Sequence, residues 1–598
     1  MKYKALYNSR DFLEGQKDLL DILLKNRGVE DTEALLNVNA NDVLDGIDMK
    51  NMYEALTIFN SYIQRAKKEE IIIHVIIDQD FDGYSASAYL IRYLKKLKEK
   101  YNLKLTITYT MHEKKVHGIK LEELENIKFD LLIVPDAGTN DVDECKNLKE
   151  NNPNLDIIIL DHHNIEQENP YAIVVNCQDN IYGNNTLAGV GVTYKFCKEY
   201  DIASDNNFAD LDLDLVAFGN IADMMDMRNL ETRYITLEGL KNVTNPFLKE
   251  IIDKNSFSIG DELNITKVGW YVSPLINAVT RVGTLDEKLD TFKALLGENE
   301  TKEYQPRRKK KTDEKPPVEI QSIQQFMARE CGNIKNRQDK IAKQGMEELS
   351  VIIEENGYNN DKIIIVEATD VLEKDFTGLI ANKLCSKYKR PVIILKSFNE
   401  DTFGGSGRNC KLSPIPDLNA FLTSLNLFDE VSGHDNSFGF KIKKDKVEIL
   451  RQTINEQLKG VIMEDVYIVD YEIPVGRLKP NQVERVGKWR NIWGNVLNEP
   501  LFAITDIYIN VEDVKLLGDK KNIIKIENKG LTFLFKFANE DMYNRIIHRN
   551  AKGLNTKSNK RLKLTIIGKF TLNKWNDCIT PQIEVVDFES VEQTRARF

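Results

Sequence analysis

Residues 71–90 read IIIHVIIDQDFDGYSASAYL, an almost unbroken apolar run that leads into Asp78, Asp80 and Asp82 and then into a glycine and small residues. The β-branched run predicts a buried strand. Carboxylates spaced two apart at its end repel one another, so folding them together is unfavourable unless a cation, a basic partner or bulk water compensates. The pattern D-x-D-x-D-G also opens an EF-hand calcium loop, which needs a preceding helix and a glutamate at its twelfth position. Here a strand precedes it and the twelfth position is Tyr89, so that reading fails.

Outward from this stretch the apolar period keeps switching. LLDILLKNRG (residues 19–28) and NMYEALTIFNSYIQRAKK (51–68) have helical spacing, and residues 1–68 are expected to be a helical lead-in. After them come the strand at 71–77, a helix in SASAYLIRYLKKLKEKY (85–101), and strand-like LKLTITYT (103–110), FDLLIVPDAG (129–138), NLDIIILDHHN (154–164) and YAIVVNCQ (171–178). Apolar strands alternating with helices predict an α/β domain with a parallel sheet covered on both faces. Ligands of such sheets bind beyond the carboxyl ends of the strands. Asp78, Asp80 and Asp82 leave the first strand, Asp136 ends a second, and Asp161, His162 and His163 end a third. Asp223 and Asp226 add carboxylates to the apolar segment AFGNIADMMDM (217–227), where an unpaired acid is costly.

Carboxylates and imidazoles without thiolates, gathered at one edge, describe a site for divalent cations. The mixed ligand set favours Mn²⁺ over Ca²⁺, with Mg²⁺ as a substitute. Two such ions about 3.5–4 Å apart suit phosphoester hydrolysis, because together they activate a water and stabilise the attacking and leaving oxygens.

Whole-chain properties agree. A length of 598 residues allows roughly three or four domains. No apolar run is long enough to span a membrane, and the opening MKYKALYNSRDFLEG has no apolar signal core, so a cytoplasmic protein is expected. Seven scattered cysteines without a C-x-x-C pair point to reduced thiols rather than disulfides or structural zinc. A net charge of −11 means that any nucleic-acid footprint must be local. Between Asp541 and Phe570 eight Lys/Arg face one Asp, which makes this the candidate stretch, whereas Arg307–Lys311 reads as a solvated loop before Pro316 and Pro317.

Four motifs in order, DQDFDG (78–83), VPDAG (134–138), LDHHN (160–164) and GNIADMMDM (219–227), resemble those of the DHH phosphoesterase superfamily. LLKNRGVED (23–31), LAGVGVTYKF (187–196), SPLINAVTRVG (273–283), FTGLIANKLCSKYKRPVIIL (376–395), GGSGRN (404–409), VSGHDNSFGF (431–440) and WGNVLNEPLFAI (493–504) resemble its RecJ branch of 5′ to 3′ single-strand-specific DNA exonucleases. The resemblance implies two ions, with Asp80 on the first, Asp82 on the second and Asp136 between them. His162 and Asp223 would complete the second, and Asp78 would ligate or orient the first. His163 would lie against the scissile phosphate and Asp161 would orient the imidazoles. One departure is Ile76, where many superfamily members carry a histidine; His74 lies on the same strand face but deeper. The first ion is then held weakly, or Asp78 serves.

The second domain is expected to grip the strand. In a glycine-rich turn, Gly405 and Gly407 would let backbone N–H groups approach phosphate, with Ser406 and Arg408 as further donors. Asn277, Arg281 and His434 would join them in a clamp on DNA backbone. LFAITDIYI (501–509), LTFLFKFA (531–538), RLKLTIIGKF (561–570) and IEVVDF (583–588) suit a C-terminal β-barrel of the OB type. The expected domains are thus a lead-in (1–68), a DHH domain (69–245), linker helices and a basic loop (246–318), a DHH-associated domain (319–465) and an OB-fold (466–598). The expected activity is release of mononucleotides from single-stranded DNA by a monomer, in recombination, repair or replication, with a helicase or single-strand-binding protein as a possible partner. The alternatives are a phosphodiesterase for oligoribonucleotides or cyclic dinucleotides, and a catalytically silent replication scaffold.

Overall fold

The computed structural model describes residues 1–8, 19–113, 116–260, 262–306, 308, 314–410, 413–463, 466–518, 521–548, 561–575 and 578–593. The chain forms two compact units: Glu33–Ile341 with Gly494–Leu497, and Met1–Thr32 with Ala342–Trp493 and Asn498–Phe598.

The first unit is built on a five-stranded, all-parallel sheet in the order Leu105–Met111, Ile71–Ile77, Leu131–Pro135, Asp156–Asp161, Ile173–Asn176. The expected parallel sheet is present, each strand within three residues of its sequence pattern at either end. Its chain order reverses beside Ile71–Ile77, since the next strand lies on one side and the third on the other. That reversal opens a crevice at the carboxyl ends of Ile71–Ile77 and Leu131–Pro135, the strands that lead into Asp78 and Asp136. Buried helices cover the sheet, among them Phe81–Tyr101 and Gly189–Ser204, and Leu213–Ala222 packs on these two. Residues 246–318, expected as linker helices and a basic loop, contribute to this unit the helices Pro246–Lys254, Ser256–Ile259, Ile265–Tyr271, Ser273–Val282 and Leu285–Leu296 and the first strand of a small hairpin.

The second unit contains two sheets. One has five strands in the order Glu430–His434, Ser437–Lys443, Thr402–Arg408, Val392–Ser397, Ile364–Glu367. The other has eight in mixed orientation: Lys2–Tyr7, Val466–Pro474, Phe502–Asn510, Arg561–Trp575, Cys578–Gln593, Leu531–Lys536, Ile523–Asn528, Val514–Leu517. The strand-like runs of the C-terminal sequence are strands, and among the described residues their pairings form an open series between two edge strands.

The lead-in differs from expectation. Helices Leu19–Lys25, Thr32–Leu36 and Met52–Ala66 are present, but Lys2–Tyr7 is a strand parallel to Val466–Pro474. No local pattern in KYKALY announces a partner some 460 residues away. A buried ion pair reinforces this long-range closure. Arg27 donates from Nη1 to Asp470 Oδ1 at 2.9 Å and from Nη2 to Oδ2 at 3.0 Å, and its guanidinium lies 5.2 Å from the centre of the Trp493 ring. Asn26 Nδ2 and the Leu501 amide donate to the same carboxylate. The eight-stranded sheet is therefore no detachable appendage, because cutting before Asp470 would deprive Lys2–Tyr7 and Arg27 of their partners. No described helix is long and apolar enough to cross a membrane.

Removing one partner of such a pair strands the other charge in a dry site, which costs about 3–5 kcal/mol. Arg27→Ala should lower the stability of the second unit by that order. Urea unfolding followed through tryptophan fluorescence checks it, and an unchanged midpoint would show that the pair contributes nothing net.

Candidate metal centre

The parallel register carries the acids to one place. Asp78, Asp80 and Asp82 follow Ile71–Ile77, Asp136 follows Leu131–Pro135, and Asp161 ends its strand with His162 and His163 beyond it. Asp223 ends the helix Leu213–Ala222. Two helix N-termini face the cluster and favour negative charge there. Asp80 caps the helix Phe81–Tyr101 and accepts from the Gly83 amide at 3.0 Å. Asp82 accepts from the amides of Gly189 at 2.6 Å and Val190 at 3.2 Å, which open the helix Gly189–Ser204.

Glycine supplies the room. A Cβ on Gly83 would lie 2.6 Å from Asp78 Cβ, one on Gly189 2.3 Å from Asp136 Oδ1, and one on Gly219 2.6 Å from Asp82 Oδ1. Asp136 itself has φ 65°, a left-handed conformation that aspartate tolerates better than most residues and that often marks functional sites.

Among the described residues the acids and histidines form three groups, of which that of Asp136, Asp161, His162 and His163 shares Asp136 with a second and His162 with a third. Asp78, Asp80 and Asp136 offer oxygens within 4.8 Å of one another, as do the ligand atoms of Asp82, His162 and Asp223. His162 Nε2 lies 3.2 Å from Asp136 Oδ1, 3.6 Å from Asp223 Oδ2 and 3.9 Å from Asp82 Oδ2. Asp136 Oδ1 is buried and receives no hydrogen bond among the described residues, as expected of an oxygen reserved for a cation. Burial, and then Asp80, push Asp82 up to about 7. Burial followed by the charge of Asp82 pushes Asp136 and Asp223 well above the usual carboxylate range. These acids oppose one another's ionisation, and divalent cations would relieve that. The donor set fits such ions.

Asp161 behaves differently. Its carboxylate accepts from the amides of His162 at 2.7 Å, His163 at 3.2 Å and Thr139 at 3.0 Å, and from His163 Nδ1 at 2.8 Å. Burial alone would raise its pKa, but the bond and charge of His163 hold it below the usual range. Burial lowers the His163 imidazole, yet the hydrogen bond and charge of Asp161 outweigh it and raise the group to about 10.

Asn277 meets this centre as well, its Oδ1 accepting from the Phe81 amide at 3.2 Å, so it braces the aspartate loop. Arg281 lies one turn further along the same helix, Ser273–Val282. His74 is a core residue, its ring nitrogens 2.8 Å and 2.9 Å from the hydroxyls of Thr108 and Thr110, and burial lowers its pKa to about 4. Ile76 belongs to the apolar core. Asp226 is paired with Arg228. Sequence reasoning missed His117, whose Nδ1 lies 2.7 Å from Asp78 Oδ2; its only sequence signal is a histidine before a glycine in a polar segment.

The glycine-rich segment belongs to the second unit and is not a turn. Gly404–Arg408 lies in the middle strand of the five-stranded sheet, paired on both sides, so its backbone N–H groups are committed to the ladders rather than open to phosphate. Its glycines answer to packing. A Cβ on Gly405 would lie 1.9 Å from Ile394 O, and one on Gly407 2.4 Å from the Phe438 ring. Ser406 Oγ lies 2.9 Å from Thr377 Oγ1, while Arg408 donates to the carbonyl of Gly407 at 2.7 Å. His434 closes the strand Glu430–His434, and its side chain lies outside the described residues, as do residues 549–560 of the basic stretch and all of Arg307–Lys311 but Arg308.

The comparisons with known proteins agree with this geometry. Residues 71–219 match the N-terminal domain of the DHH family. A prophage-derived protein of Bacillus subtilis, YorK, which carries the provisional name of a single-strand DNA-specific exonuclease, is 36% identical over 580 residues, covering 96% of each chain. The single-stranded-DNA-specific exonuclease RecJ of the same organism is 26% identical over 595 residues, covering 95% of this chain and 67% of its own. The crystal structure of Thermus thermophilus RecJ with Mn²⁺ shares the fold, with a TM-score of 0.68 at 18% identity over 99% of this chain and 79% of that one. The same protein with Mg²⁺ gives 0.63 at 17% identity, covering 100% and 78%. With acids, histidines and glycines arranged at the sheet edge as described, the chain belongs to the DHH family, in its RecJ-like branch.

Proposed function

We propose that this chain is a divalent-metal-dependent exonuclease that shortens single-stranded DNA from its 5′ end and releases mononucleotides. The observation that carries the reading is Asp136, which belongs to two of the three groups and whose buried Oδ1 receives no hydrogen bond among the described residues. The names of the relatives supply the substrate class.

Asp78, Asp80 and Asp136 would hold one ion, and Asp82, His162 and Asp223, with Asp136, the other. When bound, Mn²⁺, or Mg²⁺ in its place, supplies the positive charge that activates water and stabilises the oxygens of the displacement. His163, its Nδ1 tied to Asp161, would donate from Nε2 to a phosphate oxygen, and the hydrogen bond and charge of Asp161 favour the protonated imidazole that can do so. Arg281, Ser406, Arg408 and His434 would contact strand phosphates by their side chains. The enzyme would work in the cytoplasm as a monomer in recombination, repair or replication, on strands exposed by a helicase or handed over by a single-strand-binding protein.

Incubation with Mn²⁺ and single-stranded DNA labelled at either end tests the reading. Early release of the 5′ label as a mononucleotide is expected, and release of the 3′ label first, or no hydrolysis, would overturn it. Asp136→Asn should cut turnover by more than the roughly 10–100-fold that loss of an outer-shell partner costs, because it weakens both ligand sets. Its metal-free melting temperature should not fall, since the change removes repulsion. Substantial turnover in saturating Mn²⁺ would refute the shared-ligand assignment. Gly189→Ala pushes a methyl group against the same carboxylate, so it should cost about 1–3 kcal/mol of stability and weaken Mn²⁺ binding as well. Thermal melting and calorimetric titration of that variant are the checks.

A further inference from the structure

We propose that His117 is a positioning residue of the metal centre: it holds the Asp78 carboxylate in the orientation that cation binding requires. The inference rests on the reading of Asp78 as a cation ligand. Nδ1 of His117 lies 2.7 Å from Asp78 Oδ2, while the Gly118 amide approaches Oδ1 at 3.4 Å. A carboxylate only accepts, so the imidazole donates, which its neutral form can do. On its other side Asp78 is backed by Gly83, where a Cβ would come within 2.6 Å. Its carboxylate is thus fixed between a backbone and an imidazole.

The segment that presents His117 is itself anchored. Buried His112 meets the Gly118 carbonyl through Nε2 at 2.9 Å and Glu123 Oε2 through Nδ1 at 2.5 Å. The Ile119 amide donates to Asp141 Oδ2 at 2.7 Å. Gly118 has φ 74°, and a Cβ there would lie 2.0 Å from Asp141 Oδ2. Such anchoring makes the approach to Asp78 a property of the fold rather than of one rotamer. His117 is absent from the groups whose ligand atoms converge within 4.8 Å, so it acts through Asp78 and not as a ligand. The arrangement repeats that of Asp161 with His163, and the two imidazoles stand 6.5 Å apart, each about half exposed. Two carboxylate–imidazole pairs thus flank the centre, and only the Asp78 pair includes a ligand of the first set. Outer-shell partners of this kind tune metal affinity.

Calorimetric titration of the full chain with Mn²⁺ is the test, because it reads metal binding without turnover. His117→Ala should weaken Mn²⁺ affinity by about 10–100-fold. His117→Asn, whose amide reaches the position of Nδ1, should regain most of the loss, and His117→Gln should not. Wild-type affinity and stoichiometry in His117→Ala would overturn the proposal, as would equal affinity in the Asn and Gln variants. If the alanine variant melts early without metal, the Asn and Gln pair decides. A chain that binds Mn²⁺ with this pattern but leaves single-stranded DNA intact would overturn the proposed activity and still support the role of His117.

Discussion

Mutual repulsion among buried carboxylates is the constraint on which this fold turns. Asp78, Asp82, Asp136 and Asp161 are almost inaccessible to water, and of these four only Asp161 has its negative charge matched by a full set of donors. The rest face one another, with two helix N-termini, and His117 beside Asp78, as partial compensation. Such a cluster is costly for folding unless cations complete it, and selection keeps costly arrangements where they serve function. The parallel sheet imposes the convergence, because every strand that leads into an acid ends at the same edge.

Glycine has two different uses here. At Gly83, Gly189 and Gly219 the absent Cβ lets backbone and carboxylate touch, so the acids can share a volume that side chains would otherwise fill. In Gly404–Gly407 the absent Cβ lets a fully paired strand lie flat against Phe438, Phe440 and Ile394. Both uses follow from close approach, yet only the first concerns the chemistry. A glycine-rich stretch is therefore ambiguous by itself, since whether its amides are open to a phosphate depends on what pairs with them.

Imidazoles divide in a similar way. His162 lies among carboxylates as a ligand would, and His163 and His117 are each turned by a carboxylate. His74 and His112 are buried and serve packing and loop anchoring. What separates these roles is the neighbouring atoms rather than the residue type.

The sequence alone determined the parallel α/β core, the order of its strands along the chain and the residues at their carboxyl ends, because apolar period and β-branched runs are local signals. It also determined that acids and histidines gather in groups able to hold cations, since those that end neighbouring parallel strands meet at one edge. It did not determine which of them share an ion, and it misread GGSGRN as a turn, because pairing on both sides depends on strands far along the chain. Lys2–Tyr7, Arg27 with Asp470, and His117 with Asp78 were likewise decided only by tertiary structure. Each joins residues that no local period connects, and a contact that depends on chain closure leaves no mark in the neighbouring sequence.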